Sequence, residues 1–82
     1  MHKKSIITSI SIGREKLLAL MRLGGTGEIT HLPTPRWKNL LAKKYKFIRF
    51  HNSTFNESVI CIVKDVRLVK LAGETVVKVT LK

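Results

Sequence analysis

The apolar run at residues 59–63 (Val-Ile-Cys-Ile-Val) constrains the fold of this chain more than any other feature. A run of this kind presents hydrophobic side chains on both faces of a strand, which is typical of a central strand in a sheet. Directly after it, Lys64 and Asp65 shift the alternation of apolar and polar residues by one position. A β-bulge or a bend is therefore expected there, because one inserted residue changes the face to which later side chains point.

Alternating residues predict further strands on either side of this run. The first strand is indicated by the shared parity of Ile6, Thr8, Ile10 and Ile12, and it ends before Gly13. A short extended piece is expected at residues 29–32, and a strand at residues 45–50. In the last strand, residues 75–82, alternate side chains are expected to face inward (Val77, Val79 and Leu81) and outward (Lys78, Thr80 and Lys82). This last strand is also predicted to be an exposed edge.

The first of two short helices is predicted at residues 14–23. Its apolar arc consists of leucines and one methionine, namely Leu17, Leu18, Leu20 and Met21. The helix is expected to end at Gly24 and Gly25, because glycine accepts the left-handed conformation that commonly ends helices.

The second helix is predicted to begin at Thr34 and Pro35, since threonine is a favoured cap and proline is favoured at the first helical position. Spacing of i, i+3 and i+4 forms its apolar stripe, which consists of Trp37, Leu40 and Leu41. Lys43 and Lys44 are expected in its last turn, where positive charge suits the helix dipole.

These elements together predict one α+β domain that covers residues 1–82. The chain is 44% hydrophobic and 26% charged, which is the balance of a folded protein and not of a disordered basic tail. The order is strand, helix, short strand, helix, and then three or four strands with connections of hairpin length. We therefore predict a small curled, mainly antiparallel sheet or barrel with two short helices.

The positive charge of the chain is concentrated in one segment. The formal net charge is +11, and residues 29–56 contain no Asp and no Glu. Six cations fall within fourteen residues of this acid-free segment: Arg36, Lys38, Lys43, Lys44, Lys46 and Arg49. Like charges this close repel each other and lower stability, and a bound polyanion offsets that repulsion. The polyanion most often met inside cells is RNA or DNA.

We therefore predict a nucleic-acid-binding module that takes RNA in preference to DNA. The six cations lie on consecutive elements and are expected to form one surface, which binds mainly by neutralising phosphates. Lysine provides a point charge and arginine a planar fork. Further residues are expected to extend the footprint, namely Lys64, Arg67 and Lys70. Tyr45 and Phe55 are the aromatic residues expected to stack on unpaired bases.

Other kinds of site receive little support from the sequence. The single Cys61 lies among apolar residues and is expected to be an inert core thiol. His2, His31 and His51 are not spaced like metal ligands, so neither a metal nor another cofactor is predicted. No catalytic pair or triad is recognisable. The chain shows no signal peptide and no membrane-spanning run, and a cytoplasmic location is expected.

Part of the chain resembles the ASCH domain, a member of the PUA-like superfamily. The resemblance covers residues 34–66 and rests on a helix (34–41), a strand with the pattern Y-x-x-I-x-F-x-N (45–52) and an apolar strand (59–66). It implies a small β-barrel with flanking helices and a link to RNA or nucleotide binding. Some bacterial members of that family hydrolyse acylated cytidine.

The chain departs from this family where the chemistry would lie. The glycine–lysine–threonine–arginine signature of the family has no good counterpart, because Gly13 and Lys16 have altered spacing and no hydroxyl residue follows. No catalytic residue is carried over, and a binding module is expected in place of an enzyme. Two alternatives stay open: a small basic factor or inhibitor, of the viral or host-directed type, that acts on a larger enzyme or nucleoprotein, and, by family analogy, a nucleoside amidohydrolase.

Overall fold

The computed structural model describes residues 7–82. Seven elements follow one another along the chain: β1 (Ile7–Ser11), α1 (Arg14–Arg22), β2 (Gly27–His31), α2 (Pro35–Ala42), β3 (Phe47–Asn52), β4 (Glu57–Leu71) and β5 (Glu74–Leu81). This order confirms the predicted succession of elements, with three strands in the second half. Ile6 of the predicted first strand and His2 lie outside the described residues.

The five strands form one mixed sheet in the order β1-β3-β4-β5-β2. β1 and β3 are parallel, while the other three neighbouring pairs are antiparallel. The predicted α+β class and mainly antiparallel sheet are therefore confirmed. The sheet is open, so of the two predicted forms the closed barrel is not the one found. The prediction that residues 75–82 form an edge was wrong, because β5 pairs with β4 on one side and with β2 on the other.

β4 is the central strand, and it is long enough to pair with two neighbours in succession. Residues 57–62 pair with β3, and residues 63–71 pair with β5. The register shifts between Val63 and Asp65, which makes Lys64 the inserted residue and confirms the predicted bulge. The bulge changes the inward-facing parity, so that Cys61 and Val63 before it and Val66 after it all pack against the core.

One face of the sheet, the inner face, packs against both helices. The core joins residues of all five strands with two residues from each helix: Leu17 and Leu20 of α1, and Trp37 and Leu40 of α2. Burying each such side chain stabilises the fold by about 1.5–3 kcal/mol. The inward positions of β5 are those predicted, since Val77, Val79 and Leu81 are buried.

α1 ends at the predicted glycine pair. Gly24 and Gly25 have φ angles of 71° and 82°, and the amide of Gly25 donates to the carbonyl of Leu20 at 2.8 Å. Gly25 also lies against β4, where a Cβ atom would stand 3.6 Å from the sulfur of Cys61. This is an ordinary contact distance, so the positive φ favours glycine here more than lack of space does.

α2 begins with Pro35 as predicted, although the Thr34 side chain makes no capping hydrogen bond. The helix ends at Ala42, so the placement of Lys43 and Lys44 in its last turn was wrong. Lys43 is already extended, with φ −109° and ψ 123°. After the helix, Tyr45 packs against the core, and β3 begins at Phe47, two residues later than predicted.

The two faces of α1 predict a large difference between two substitutions. Leu17→Ala removes a fully buried side chain, and we expect it to lower the free energy of unfolding by about 2–5 kcal/mol. Met21→Ala on the same helix, where the side chain is 42% exposed, should change it by less than about 1 kcal/mol. Urea unfolding followed by circular dichroism measures both values, and similar losses would contradict the assigned inner face.

Candidate nucleic-acid interface

The cations of the acid-free segment have no carboxylate partners within residues 7–82. The ion pairs in that range join Arg14 to Glu57, Arg67 to Asp65 and Lys78 to Glu28. None of these involves the six cations between Arg36 and Arg49. The positive charge of the segment is therefore not neutralised within the described part of the molecule.

Four exposed lysines lie on the α2–β3 connection and on the adjacent bulge of β4. Lys43 and Lys44 are exposed in the connection, and Lys44 lines a shallow cavity of about 190 Å³ together with Lys64. The carbonyl of Lys46 accepts a hydrogen bond from the amide of Val63 at 2.9 Å, which places Lys46 beside the bulge. We call Lys43, Lys44, Lys46 and Lys64 the lysine cluster.

The remaining cations of the segment lie on α2 and β3, and two of them, Arg36 and Arg49, are neighbours of β1. Arg36 and Lys38 are exposed on α2, and the Arg36 guanidinium donates to the carbonyl of Ser9 at 3.3 Å. Ser9 is the register partner of Arg49, whose exposed side chain is on the opposite, outer face of the sheet. The six cations therefore wrap from the helix layer to the outer face and do not lie in one plane.

A second long cation makes a similar contact at the other end of the sheet. The Lys16 ammonium of α1 donates to the carbonyl of Thr30 in β2 at 3.0 Å. β1 and β2 are the two outermost strands. Each outermost strand therefore has a backbone carbonyl bonded to a cation that extends from a helix.

The structure places two further predicted residues away from the lysine cluster. Arg67 is bonded to Asp65 at 2.6 Å, so its charge is partly balanced. Lys70 is exposed next to the β4–β5 turn, six residues beyond Lys64. That separation corresponds to roughly 20 Å along an extended strand.

The two aromatic residues predicted to stack on bases occupy different environments. Tyr45 is half-buried and packs against the core. Phe55 is 51% exposed in the β3–β4 turn, where the Arg14 guanidinium lies 4.3 Å from the centre of its ring. This turn follows β3, whereas Lys46 precedes it, so the structure does not bring Phe55 together with the lysine cluster.

The core aromatic residues are accounted for by packing. Trp37 is buried as its helical spacing predicted, with Phe50 at a ring-centre distance of 6.2 Å. His31, expected at the surface, is half-buried and stacks on Trp37 with a ring-centre distance of 4.5 Å and an interplanar angle of 1°. This contact attaches the end of β2 to α2.

Both helices pack on the inner face, so within residues 7–82 no helix covers the outer face of β1, β3 and β4. Strand register arranges nine side chains in three rows: Ile7–Phe47–Ile62, Ser9–Arg49–Ile60 and Ser11–His51–Ser58. None of these nine is acidic. Ile60 and Ile62 are 58% and 40% exposed, so the apolar run at residues 59–63 is central as predicted and yet open on one side.

Phe47 is not one of the two aromatic residues that the sequence analysis expected to stack on bases. It lies in the apolar row of the outer face and is half-buried between register partners Ile7 and Ile62. The signal for its position is its parity, which it shares with Arg49 and not with the buried Ile48 and Phe50. Parity alone does not show which face of a sheet the helices cover, so the sequence could not show that Phe47 lies on the face without helices.

The described side chains form neither a metal-binding group nor a reactive thiol site. Within residues 7–82, no group of three or more His, Cys, Asp or Glu side chains is placed to hold a metal ion. Cys61 is buried in the core as predicted, and desolvation raises the pKa of its thiol. The two helices, of nine and eight residues, are too short to cross a membrane, and no other helix occurs in the described range.

Comparison of the chain with protein-family models, curated proteins and solved structures gave no match. The resemblance of residues 34–66 to the ASCH domain therefore stays a prediction from the sequence. Two surfaces of the molecule are candidates for ligand binding: the lysine cluster, and the outer face of β1, β3 and β4.

The burial of Cys61 predicts slow thiol chemistry in the native protein. Its raised pKa lowers the thiolate fraction at neutral pH, so an aromatic disulfide reagent should react at least roughly tenfold more slowly than with the urea-unfolded chain. The folded state holds this proton more tightly than the unfolded state. The free energy of unfolding therefore keeps the contribution of the Cys61 thiol below the ordinary thiol pKa, and loses it as pH rises from that value through the raised pKa of the folded state. Equal reaction rates would contradict the burial.

Proposed function

We propose that this protein binds nucleic acid, RNA in preference to DNA, through phosphate contacts with the lysine cluster and the adjoining cations of the acid-free segment. The observation that supports this most is the lack of any carboxylate partner for six closely spaced cations within the described residues. Binding a polyanion adds attraction and removes the mutual repulsion of these side chains.

The chemistry of the cluster suits phosphates that follow one another along a strand. Each lysine ammonium is a compact point charge with three donors on a flexible stem, so it does not require one fixed phosphate geometry. Arg36 and Arg49 add planar guanidinium groups next to β1. Contacts of this kind provide affinity and position, while they carry no sequence information.

Two considerations favour RNA over DNA as the ligand. The resemblance of residues 34–66 to the ASCH domain implies RNA or nucleotide binding. In addition, four of the six cations (Lys43, Lys44, Lys46 and Arg49) lie outside the helices, on a connection and a strand. Proteins that read the major groove of B-DNA commonly carry their contacts along one exposed helix.

The lysine cluster predicts a steep loss of affinity when three charges are removed. We expect Lys43→Ala/Lys44→Ala/Lys46→Ala to weaken binding of a fluorescein-labelled single-stranded RNA roughly 100-fold at 0.1 M salt. The slope of log K against log salt should fall in magnitude by about 2, because each contact with a single strand contributes about 0.7. Fluorescence anisotropy over a salt titration measures both quantities.

A matched control removes three charges elsewhere. Lys16→Ala/Arg22→Ala/Lys78→Ala changes the net charge equally but acts on α1 and β5. This control should keep most of the affinity, whereas equal losses in both triple variants would show that only net charge matters. Urea unfolding confirms that both variants are folded. The same titration with single-stranded DNA of equivalent sequence tests the preference for RNA, and tighter DNA binding would contradict it.

A further inference from the structure

We propose that the ligand is an unpaired strand that lies across the outer face of β1, β3 and β4, with a base against Phe47 and a phosphate at Arg49. This inference rests on the proposed function and deepens it. It assigns the bound form of the nucleic acid, single-stranded and not duplex, and it names the residues that touch it. The lysine cluster then binds the part of the nucleic-acid strand that continues beyond the β-sheet.

The charge of the outer face suits a polyanion. Its nine side chains include an arginine and a histidine but no carboxylate, and Arg49 occupies the central position. No carboxylate in residues 7–82 lies within ion-pair distance of Arg49. An arginine in the middle of an exposed sheet face is therefore available to an anionic group from outside.

The apolar row provides a platform of the size of a base. Ile7, Phe47 and Ile62 are direct neighbours on three adjacent strands, which spans roughly 10 Å across the sheet. Phe47 is the central member of this row. Stacking of a base on an aromatic ring requires an unstacked base, and bases paired inside a duplex do not offer one.

The polar end of the face offers a place for phosphate. Arg49 is two residues from Phe47 along β3, about 7 Å further along the strand. A cleft of about 150 Å³ opens there, lined by Arg49, His51, Ser58 and residues of the β3–β4 turn. Glu57 also lines this cleft, but the Arg14 guanidinium bonds its carboxylate at 3.1 Å and balances its charge.

A second copy of this chain is a poor occupant of the same face. Two-fold packing of the nine residues on themselves brings the central Arg49 of one copy towards Arg49 of the other. Two like charges taken out of water without a partner carry a large desolvation cost. The expected occupant of the outer face is therefore single-stranded RNA and not a second copy of this chain.

The test compares two outer-face variants on one RNA strand of twelve nucleotides, alone and annealed to its complement. The parent should bind the single strand at least tenfold more tightly than the duplex. Phe47→Leu should weaken single-strand binding roughly 5- to 50-fold with an unchanged salt slope. Arg49→Gln should weaken it and lower the slope by about 0.7. Leu32→Ala and Arg22→Gln, controls at exposed positions away from this face, should stay within about twofold of the parent.

Direct mapping on the parent does not depend on the folding of any variant. On addition of the single strand, the backbone amide signals of Phe47, Arg49 and Ile60 should shift in heteronuclear NMR spectra. Unchanged signals at these residues would overturn the proposal. If binding depends on the lysine cluster while Phe47→Leu and Arg49→Gln bind like the parent, the outer-face path fails and the proposed function stands. If the parent binds no nucleic acid, both fail.

Discussion

The pairing of β4 with two neighbours in succession is the constraint on which the rest of the structure depends. Its first part is bonded to β3 and its second part to β5, so the single strand joins both halves of the sheet. Without a bulge at Lys64, the regular alternation that turns Cys61 and Val63 inward would also turn Asp65 towards the core. Burying that carboxylate would cost far more than the bulge does. The inserted Lys64 directly follows Val63, whose amide donates to the carbonyl of Lys46, so the bulge lies next to the α2–β3 connection.

Local patterns predicted the elements of this fold but not their arrangement. The bulge, the glycine stop of α1 and the inward residues of β5 were all evident from alternation and glycine placement. Strand order was not, because the pairing of β2 with β5 joins residues about fifty positions apart. No short-range pattern records such a contact, and this is why β5 was taken for an edge. The end of α2 was also misplaced, and the sequence does not show that Tyr45 packs against the core after it.

The sequence predicted the positive charge of the candidate site but not how its cations are arranged on the surface. The absence of acidic residues from residues 29–56 is a property of the sequence, and the described ion pairs leave those cations unmatched. Their division between the helix layer and the outer face depends on how α2 packs. The choice between Phe47 and Phe55 has the same origin. Both are aromatic residues near cations in the sequence. Only the packing shows that Phe55 lies in the β3–β4 turn next to Arg14, while Phe47 lies between Ile7 and Ile62 on the outer face of the sheet.

The hydrogen bonds of Arg36 and Lys16 to the outermost strands have a consequence for how molecules of this protein meet each other. An open sheet ends in backbone groups that can recruit a strand from another molecule, which is the first step of aggregation. Here a charged side chain is bonded to a carbonyl of each border, at Ser9 and at Thr30. An incoming chain would have to displace a cation to continue the ladder. These two contacts hinder strand addition at both borders, and the net charge of +11 adds repulsion between molecules.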